Sequence, residues 1–225
     1  EVDLSKYMRQ VAFIDCNNVY MYGVHMNVPQ EAFSKDYYVD KQYTNLTFYS
    51  GNKNMTLDNC RMDLMCATYR GANLGVLDFY CRGEENITIM NSEFHSNARD
   101  EQIGMFTGVT NREASYIKNV DFINNTIYSY SPIDKQAAGG HRTMCFTIAY
   151  TESRNIDDIR VAGNHFISDV DSKLITFGNL TNCVVENNMI EVRSTQGGSY
   201  IFDSSNSSVE NILIQNNEFY LTGRW

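Results

Sequence analysis

The sequence predicts an all-β chain that folds as a single-stranded right-handed parallel β-helix of about seven coils. Three observations lead to this fold: a strand-rich composition, a short phrase that recurs along the chain, and Asn at the turn of nearly every copy. Residues 1–225 are expected to form one domain, since this length suits a single elongated core. Because the first residue is Glu1 and neither end offers an obvious cap, the domain is expected to be a fragment of a longer chain.

The composition favours strands over helices and excludes some partners. The 225 residues include 15 Tyr, 12 Phe and only 2 Pro, and this mix suits strands and polar turns. The formal net charge of −9 argues against nucleic acid, because phosphate binding requires a cationic face. No apolar stretch is long enough to cross a bilayer, so membrane insertion is not expected.

The recurring phrase has two alternating apolar residues, a turn centred on Asn, and another apolar residue. Clear copies lie at residues 55–62, 87–94, 120–127, 159–166, 183–190 and 212–219, with a degenerate copy within 11–19. Successive turns are 24 to 39 residues apart, so the coils are expected to carry loops of different lengths. Loop excursions are predicted near residues 29–43 and 128–140.

A second short strand lies between the copies. These strands are predicted at residues 46–49, 76–80, 103–106, 144–148, 174–177 and 200–202. Asn tolerates a left-handed backbone, and its amide can bond to neighbouring groups, so turns repeated from coil to coil predict a hydrogen-bonded Asn ladder. The alternative fold is a β-sandwich, which favours Asn-Gly or Asp-Gly hairpin turns, and the repeats contain neither.

The cysteines and the glycosylation triplets are both assigned to the repeat. The six cysteines fit no zinc spacing, and several lie in apolar strand-like segments, so buried free thiols are expected rather than disulfides. Six Asn-x-Ser/Thr triplets mostly fall at the same point of the repeat, which favours a structural role for their Asn and Thr over glycan attachment.

Polar residues gather just before the second strand of three successive coils. They are Asp100 and Glu101, His141 and Arg142, and Asp171 and Lys173. Equivalent positions on consecutive coils lie about 5 Å apart, so these pairs are expected to form one patch on the sidewall. Glycoside hydrolysis requires paired carboxylates, and the hypothesis makes Asp100 and Glu101 the acid and base, with His141 assisting.

Further residues are candidates for substrate binding at this patch. They are Asp78, Tyr80, Arg142, Tyr150 and Lys173, with Tyr128 and Tyr130 as additional rings that could stack on sugars. The alternatives are structural: Asp100 and Glu101 start a turn, and Asp78 pairs with Arg82 or Arg99. No spacing specifies a metal ion, and no cofactor is predicted.

Several segments resemble polygalacturonase-type glycoside hydrolases, which are right-handed β-helices. Residues 97–108, Asn-Ala-Arg-Asp-Glu-Gln-Ile-Gly-Met-Phe-Thr-Gly, resemble the Asp-Asp-Cys-Ile-Ala-Ile motif of that family. Gly140-His141-Arg142 resembles its Gly-His-Gly, and Asp171-Ser172-Lys173 partly matches its Arg-x-Lys. Asn73-Leu74-Gly75 resembles the Asn-Thr-Asp-Gly segment but lacks the Asp, which is a catalytic carboxylate in the family.

The Asp-Glu-x-Ile form at Asp100 is also similar to the pectin-lyase-like β-helices of phage tailspike and appendage depolymerases. This resemblance implies an enzyme that cleaves a cell-surface polysaccharide, a homotrimer of parallel rods, and a location on a virion tail or outside the cell. Two other functions stay open: a wall that binds glycan without cutting it, and a structural segment of a trimeric fibre.

Overall fold

The computed structural model describes residues 9–28, 43–64, 74–81, 83–96, 101–107, 116–130, 143–148, 155–169, 172–193, 200–204 and 208–222. All regular structure in these residues is β-strand, arranged in three seven-stranded parallel sheets that we name A, B and C.

Each sheet takes every third strand of the chain. Sheet A contains β1 (Arg9–Ile14), β4 (Tyr43–Ser50), β7 (Leu74–Cys81), β10 (Glu101–Thr107), β13 (Thr143–Ile148), β16 (Ser172–Phe177) and β19 (Tyr200–Asp203). Sheet B contains β2 (Asn17–Tyr22), β5 (Lys53–Asp58), β8 (Glu84–Met90), β11 (Ile117–Ile123), β14 (Ile156–Ala162), β17 (Leu180–Glu186) and β20 (Val209–Gln215). Sheet C contains β3 (His25–Val28), β6 (Arg61–Leu64), β9 (Glu93–Ser96), β12 (Thr126–Ser129), β15 (His165–Ser168), β18 (Met189–Val192) and β21 (Glu218–Leu221).

The chain passes through sheets A, B and C in turn and then returns to sheet A one strand further on. Every pair of neighbouring strands is parallel, and this arrangement confirms the predicted parallel β-helix. One strand from each sheet makes a coil, and the coils are numbered here in chain order from β1–β3 upward.

The predicted second strands all lie within strands of sheet A, but the coil has one strand more than the sequence predicted. The residues after the Asn turn, treated above as a single apolar position, form the strands of sheet C. These strands are only four residues long, so their alternation is too short to stand out in the sequence.

Two further sequence predictions need correction. The degenerate copy at residues 11–19 is wrong, because Val11 and Phe13 pair with Leu46 and Phe48 in sheet A. The predicted loop at 128–140 begins too early, since Tyr128 lies within β12. The rest of both predicted loops, at 29–42 and 131–140, lies outside the described residues, and Tyr43 already belongs to β4.

The core consists of side chains that stack on their equivalents in the next coil. Phe48 and Phe79 lie in register with ring centroids 4.6 Å apart, and both are fully buried. Rings from different sheets also meet in the interior, since Phe94 of sheet C, Phe122 of sheet B and Phe146 of sheet A have successive centroids 5.6 and 4.8 Å apart. Buried aromatic side chains supply much of the hydrophobic stabilisation of such a core.

Two rows of residues with a left-handed backbone shape every coil. One row occupies the turn between sheets B and C: Gly23, Asn59, Asn91, Asn124, Gly163, Asn187 and Asn216. The other lies inside the sheet B strands: Asn18, Asn54, Asn86, Asn119, Asp158, Asn182 and Asn211. Asn, Asp and Gly are the residues that tolerate this conformation, which explains their recurrence. The second row was not predicted from the sequence.

The residue after each turn builds the predicted ladder inside the protein. In four successive coils this residue is an Asn whose side chain bonds to the next one: Asn125, Asn164, Asn188 and Asn217. The Asn164 amide group donates to Oδ1 of Asn188 at 3.0 Å and to the carbonyl of Phe122 at 2.8 Å. Its own Oδ1 accepts the backbone N–H of Asn125 at 2.9 Å. The ladder therefore satisfies backbone groups that burial would otherwise leave without partners.

We expect Asn164→Ala to lower the free energy of unfolding by about 2–4 kcal/mol, because it leaves the buried N–H of Asn125 and carbonyl of Phe122 without partners. Urea unfolding followed by circular dichroism measures the change. Asn17→Ala is the matched control, since the Asn17 side chain bonds to Asn54 on the exposed surface. A loss in Asn17→Ala as large as in Asn164→Ala would contradict the role given to the ladder.

Candidate functional site

The part of the predicted acid–base patch that the structure describes lies on sheet A. Glu101 opens β10 and lies opposite Met144 of β13, which lies opposite Lys173 of β16. Glu101 and Lys173 therefore share one register line two strands apart, or about 10 Å. The patch residues Asp100, His141, Arg142 and Asp171 and the binding candidate Tyr150 lie outside the described residues.

The other two candidates of that patch lie on β7. Asp78 is opposite Gly104 and Tyr80 is opposite Phe106. Asp78 thus lies on the strand next to that of Glu101. Its partner Gly104 follows Glu101 by three residues, so Asp78 is offset from Glu101 by three positions along the strands. The backbone places these candidates on the same sheet, and their roles stay predictions.

The outer face of sheet C carries a continuous polar network. His25 contacts Asp63 at 2.7 Å, and Arg61 bonds to Asp63 at 3.0 Å and to Glu93 at 3.4 Å. His95 continues it, with its Nε2 3.4 Å from Glu93 and its Nδ1 3.2 Å from the Tyr130 hydroxyl. The network runs across four coils.

The carboxylate at the centre of this network is unsuited to act as a general acid. Burial acts to raise the pKa of Asp63, but hydrogen bonds from His25 and Arg61 outweigh it and hold that pKa below its ordinary value. A carboxyl group that stays ionised cannot protonate a leaving group near neutral pH. We therefore assign Asp63 a structural role in joining coils 1 and 2.

Two of the tyrosines proposed from the sequence as sugar-stacking rings, Tyr128 and Tyr130, lie on this same face. Tyr128 stacks on His95 of the preceding coil, with centroids 4.4 Å apart and planes 23° apart. Tyr130 lies parallel to Tyr128, with centroids 6.0 Å apart. One face of the Tyr128 ring is thus already covered by the protein, which leaves less of it for a sugar.

A groove of about 680 Å³ runs along sheet B across coils 4 to 7. Two rows of residues line it. The corner row, directly before the sheet B strands, contains Tyr116, Asn155, Asn179 and Ser208. The strand row, the second residue of each strand, contains Lys118, Asp157, Thr181 and Glu210. Asn182 also lines the groove.

Hydrogen bonds between coils fix the polar lining of the groove. The Asn182 amide donates to Oδ1 of Asp157 at 2.8 Å, and its own Oδ1 accepts from Asn211 at 3.1 Å. The Asn179 side chain accepts the backbone N–H of Ser208 at 2.8 Å. The groups that a ligand would meet are therefore held in place before it binds.

Sequence reasoning missed this groove because it aligned polar residues only ahead of sheet A. The signal that could have found it is the Asn inside each sheet B strand, replaced by Asp158 in coil 5; Asn119 and Asn182 are examples. The residue before that Asn is polar in every coil from Asn17 to Glu210, and aligning those residues gives the strand row.

Glu84 is the carboxyl group whose pKa is most clearly raised among the described residues, and it lies in the core. It is fully buried as the first residue of β8 in sheet B, where one oxygen accepts the backbone N–H of Asn52 at 3.1 Å. Burial raises its pKa from 4.5 to about 7, against the opposing hydrogen bond from Asn52. Since no solvent or substrate reaches it, this shift affects stability rather than catalysis.

The neutral form of Glu84 is favoured in the folded state, so stability should fall as pH rises from about 4.5 to about 7. The loss is on the order of 3 kcal/mol, since one unit of difference between folded and unfolded pKa corresponds to about 1.4 kcal/mol. We expect Glu84→Gln to remove this loss. The variant should therefore become more stable relative to the wild type as the pH rises from about 4.5 to about 7. Urea unfolding at several pH values measures it.

Glu186→Gln serves as the control, because the contribution of Glu186 to stability depends on pH in the opposite direction. Hydrogen bonds from Gln215 and Arg160 lower the pKa of Glu186, so its ionised form is favoured in the folded state. The control should be less stable than the wild type at pH 7, with the difference shrinking in acid. A pH-independent effect of Glu84→Gln would contradict the assignment.

The cysteine side chains that the structure describes are outside any disulfide. Cys16, Cys60 and Cys183 are free thiols, and the last two are buried, as the sequence predicted. Burial raises the pKa of Cys183 to about 12, which keeps it protonated and unreactive. The side chains of the described residues bring together no group of three or more His, Cys, Asp or Glu able to hold a metal ion.

Comparison with known proteins adds little to this picture. No protein-family model and no curated protein matches the chain. A solved structure of QnrB1, a plasmid-mediated fluoroquinolone resistance protein, is similar at 12% sequence identity, over 92% of this chain and 94% of that chain, with a TM-score of 0.23. A superposition this loose carries no argument about function. In the parts of the chain that the structure describes, no helix is long and apolar enough to cross a membrane.

Proposed function

We propose that this β-helix binds a carbohydrate in the groove along sheet B. The observation that carries the proposal is the groove itself: a concavity of about 680 Å³ lined by hydroxyl, amide and charged side chains at regular positions on four coils. Its volume is within the range of small-molecule sites, roughly 300–1,000 Å³. Sugars present many hydroxyl groups, and a wall of fixed donors and acceptors pairs with them at little cost in ordering.

The binding proposal is favoured over catalysis within the groove. The carboxylates of Asp157 and Glu210 lie in line with Thr181 between them, one on each side. That places their Cα atoms about 10 Å apart along the sheet, whereas retaining glycosidases hold their two carboxyl groups only about 5–5.5 Å apart. Binding is therefore the function proposed for this groove.

We expect Thr181→Trp to reduce glycan affinity at least tenfold, because Thr181 lies in the middle of the strand row and an indole there fills the groove. Isothermal titration against the glycan series specified in the next subsection measures this. Thr56→Trp, also on sheet B but in coil 2 and outside the groove, is the matched control and should bind as the wild type does. Equal affinity in both variants would contradict binding in the groove.

A second function, cleavage of a cell-surface polysaccharide, is favoured by the register of sheet A. Glu101 and Lys173 share one line, as a stacked sidewall patch requires. The resemblance to pectin-lyase-like tailspike depolymerases supports the same idea, with Asp100 and Glu101 as acid and base, His141 assisting, and a homotrimer on a virion tail or outside the cell.

In this second function, Asp100→Ala and Glu101→Ala should each abolish the release of reducing ends or unsaturated products from a susceptible polysaccharide. Sedimentation of the same preparations checks that the oligomer is unchanged. Thr56→Ala, on sheet B and outside the groove, is the control and should cleave normally. Full turnover in both alanine variants would rule out Asp100 and Glu101 as the acid and base. A wild type that sediments as a monomer would rule out the homotrimer.

A further inference from the structure

The strand row of the groove repeats at the spacing of the coils. Lys118 is in register with Asp157, Asp157 with Thr181, and Thr181 with Glu210. Neighbouring parallel strands are about 4.8 Å apart, so the row presents four polar side chains over roughly 14 Å. The corner row follows the same spacing, with Leu180 N–H bonded to the Ser208 carbonyl and Ile117 N–H to the Asn155 carbonyl.

A ligand with a matching repeat would meet equivalent contacts at each coil. In an extended, equatorially linked glycan, each sugar ring advances by about the distance between two strands, close to 5 Å. A chain lying parallel to the axis of the β-helix would thus place one sugar on each coil. A chain lying across the axis would leave the groove after one or two units.

The charges of the groove disfavour an anionic polymer. Among the described residues that line it, one is a cation, Lys118, and two are carboxylates, Asp157 and Glu210, on a chain with a formal net charge of −9. A polyanion would be repelled by this field. A polycation would meet Lys118 at one end of the row. Uncharged hydroxyl groups can donate to the carboxylates and accept from the ammonium group, so they suit the whole row.

An aromatic ring lines the groove at coil 4. The Tyr116 hydroxyl donates to Glu85 at 3.4 Å, and its ring lies over Gly83, where an added Cβ would be 3.3 Å from ring atom Cε1. Gly83 has a φ of +106°, so the absence of a side chain there lets both the turn and the ring adopt these positions. The ring gives that end of the groove an apolar surface for the C–H face of a terminal sugar.

From these observations we propose that the groove selects an uncharged, linear glycan of about four units, which lies along the axis with one sugar on each of coils 4 to 7. This inference rests on the proposed carbohydrate-binding function and specifies the ligand of the same groove.

Isothermal titration with linear oligosaccharides of two to six units tests the inference. The uncharged series are β-1,4-linked glucose, mannose, xylose and N-acetylglucosamine; oligogalacturonate is the anionic series and chitosan oligomers are the cationic one. We expect one uncharged series to bind, with affinity rising up to about four units and then levelling. Its Kd should change less than about twofold between 50 and 500 mM NaCl, because no counterions are released.

The outcomes separate this inference from the function on which it rests. If a charged series binds more tightly than every uncharged one and Thr181→Trp abolishes that binding, the groove binds glycan but the proposed ligand class is wrong. If affinity does not depend on length, the alignment along the axis is wrong. If no series binds to the wild type while Thr56→Trp and the wild type are both folded, the carbohydrate-binding function itself is overturned.

Discussion

The structure depends on the turn between sheets B and C. At each turn one residue adopts a left-handed backbone, and the next, in most coils an Asn, sends its side chain inward to bond with the coils above and below. Since sheet C strands are only four residues long, a turn that deviated would shift a whole strand out of line. The ladder therefore fixes the position of each coil on its neighbour, and the apolar columns follow from that alignment.

The same geometry explains where the protein tolerates variation. At the turn of coil 5, Gly163 replaces the Asn found in the neighbouring coils, and a Cβ there would collide with Oδ1 of Asn124. In coil 1 the ladder position is occupied by Val24, whose side chain has no hydrogen-bonding group. In coil 2 it is occupied by Cys60, whose backbone N–H bonds to the Ser92 hydroxyl of coil 3 at 3.0 Å. The ladder is thus built mainly from coil 3 onward.

The regular spacing of the coils also relates the fold to the proposed function. A stack of parallel strands presents every outward residue on a line, so a polar position repeated in the sequence becomes a row on the surface. On sheet C the row is used within the protein, since Arg61, Asp63 and Glu93 bond to one another. On sheet B, Asp157 of the row from Lys118 to Glu210 also accepts a hydrogen bond from Asn182, but the row borders an open groove, and this groove leads us to place the ligand there.

Sequence periodicity alone determined the fold class, the strands of sheet A and the free state of Cys60 and Cys183, because inward apolar residues and Asn turns are local signals. It did not reveal sheet C as a separate sheet, because its four-residue strands are too short to show a period. The groove was also decided only by the tertiary structure. Lys118 and Glu210 are far apart in sequence, and loops of unequal length hide the register that brings them into one row.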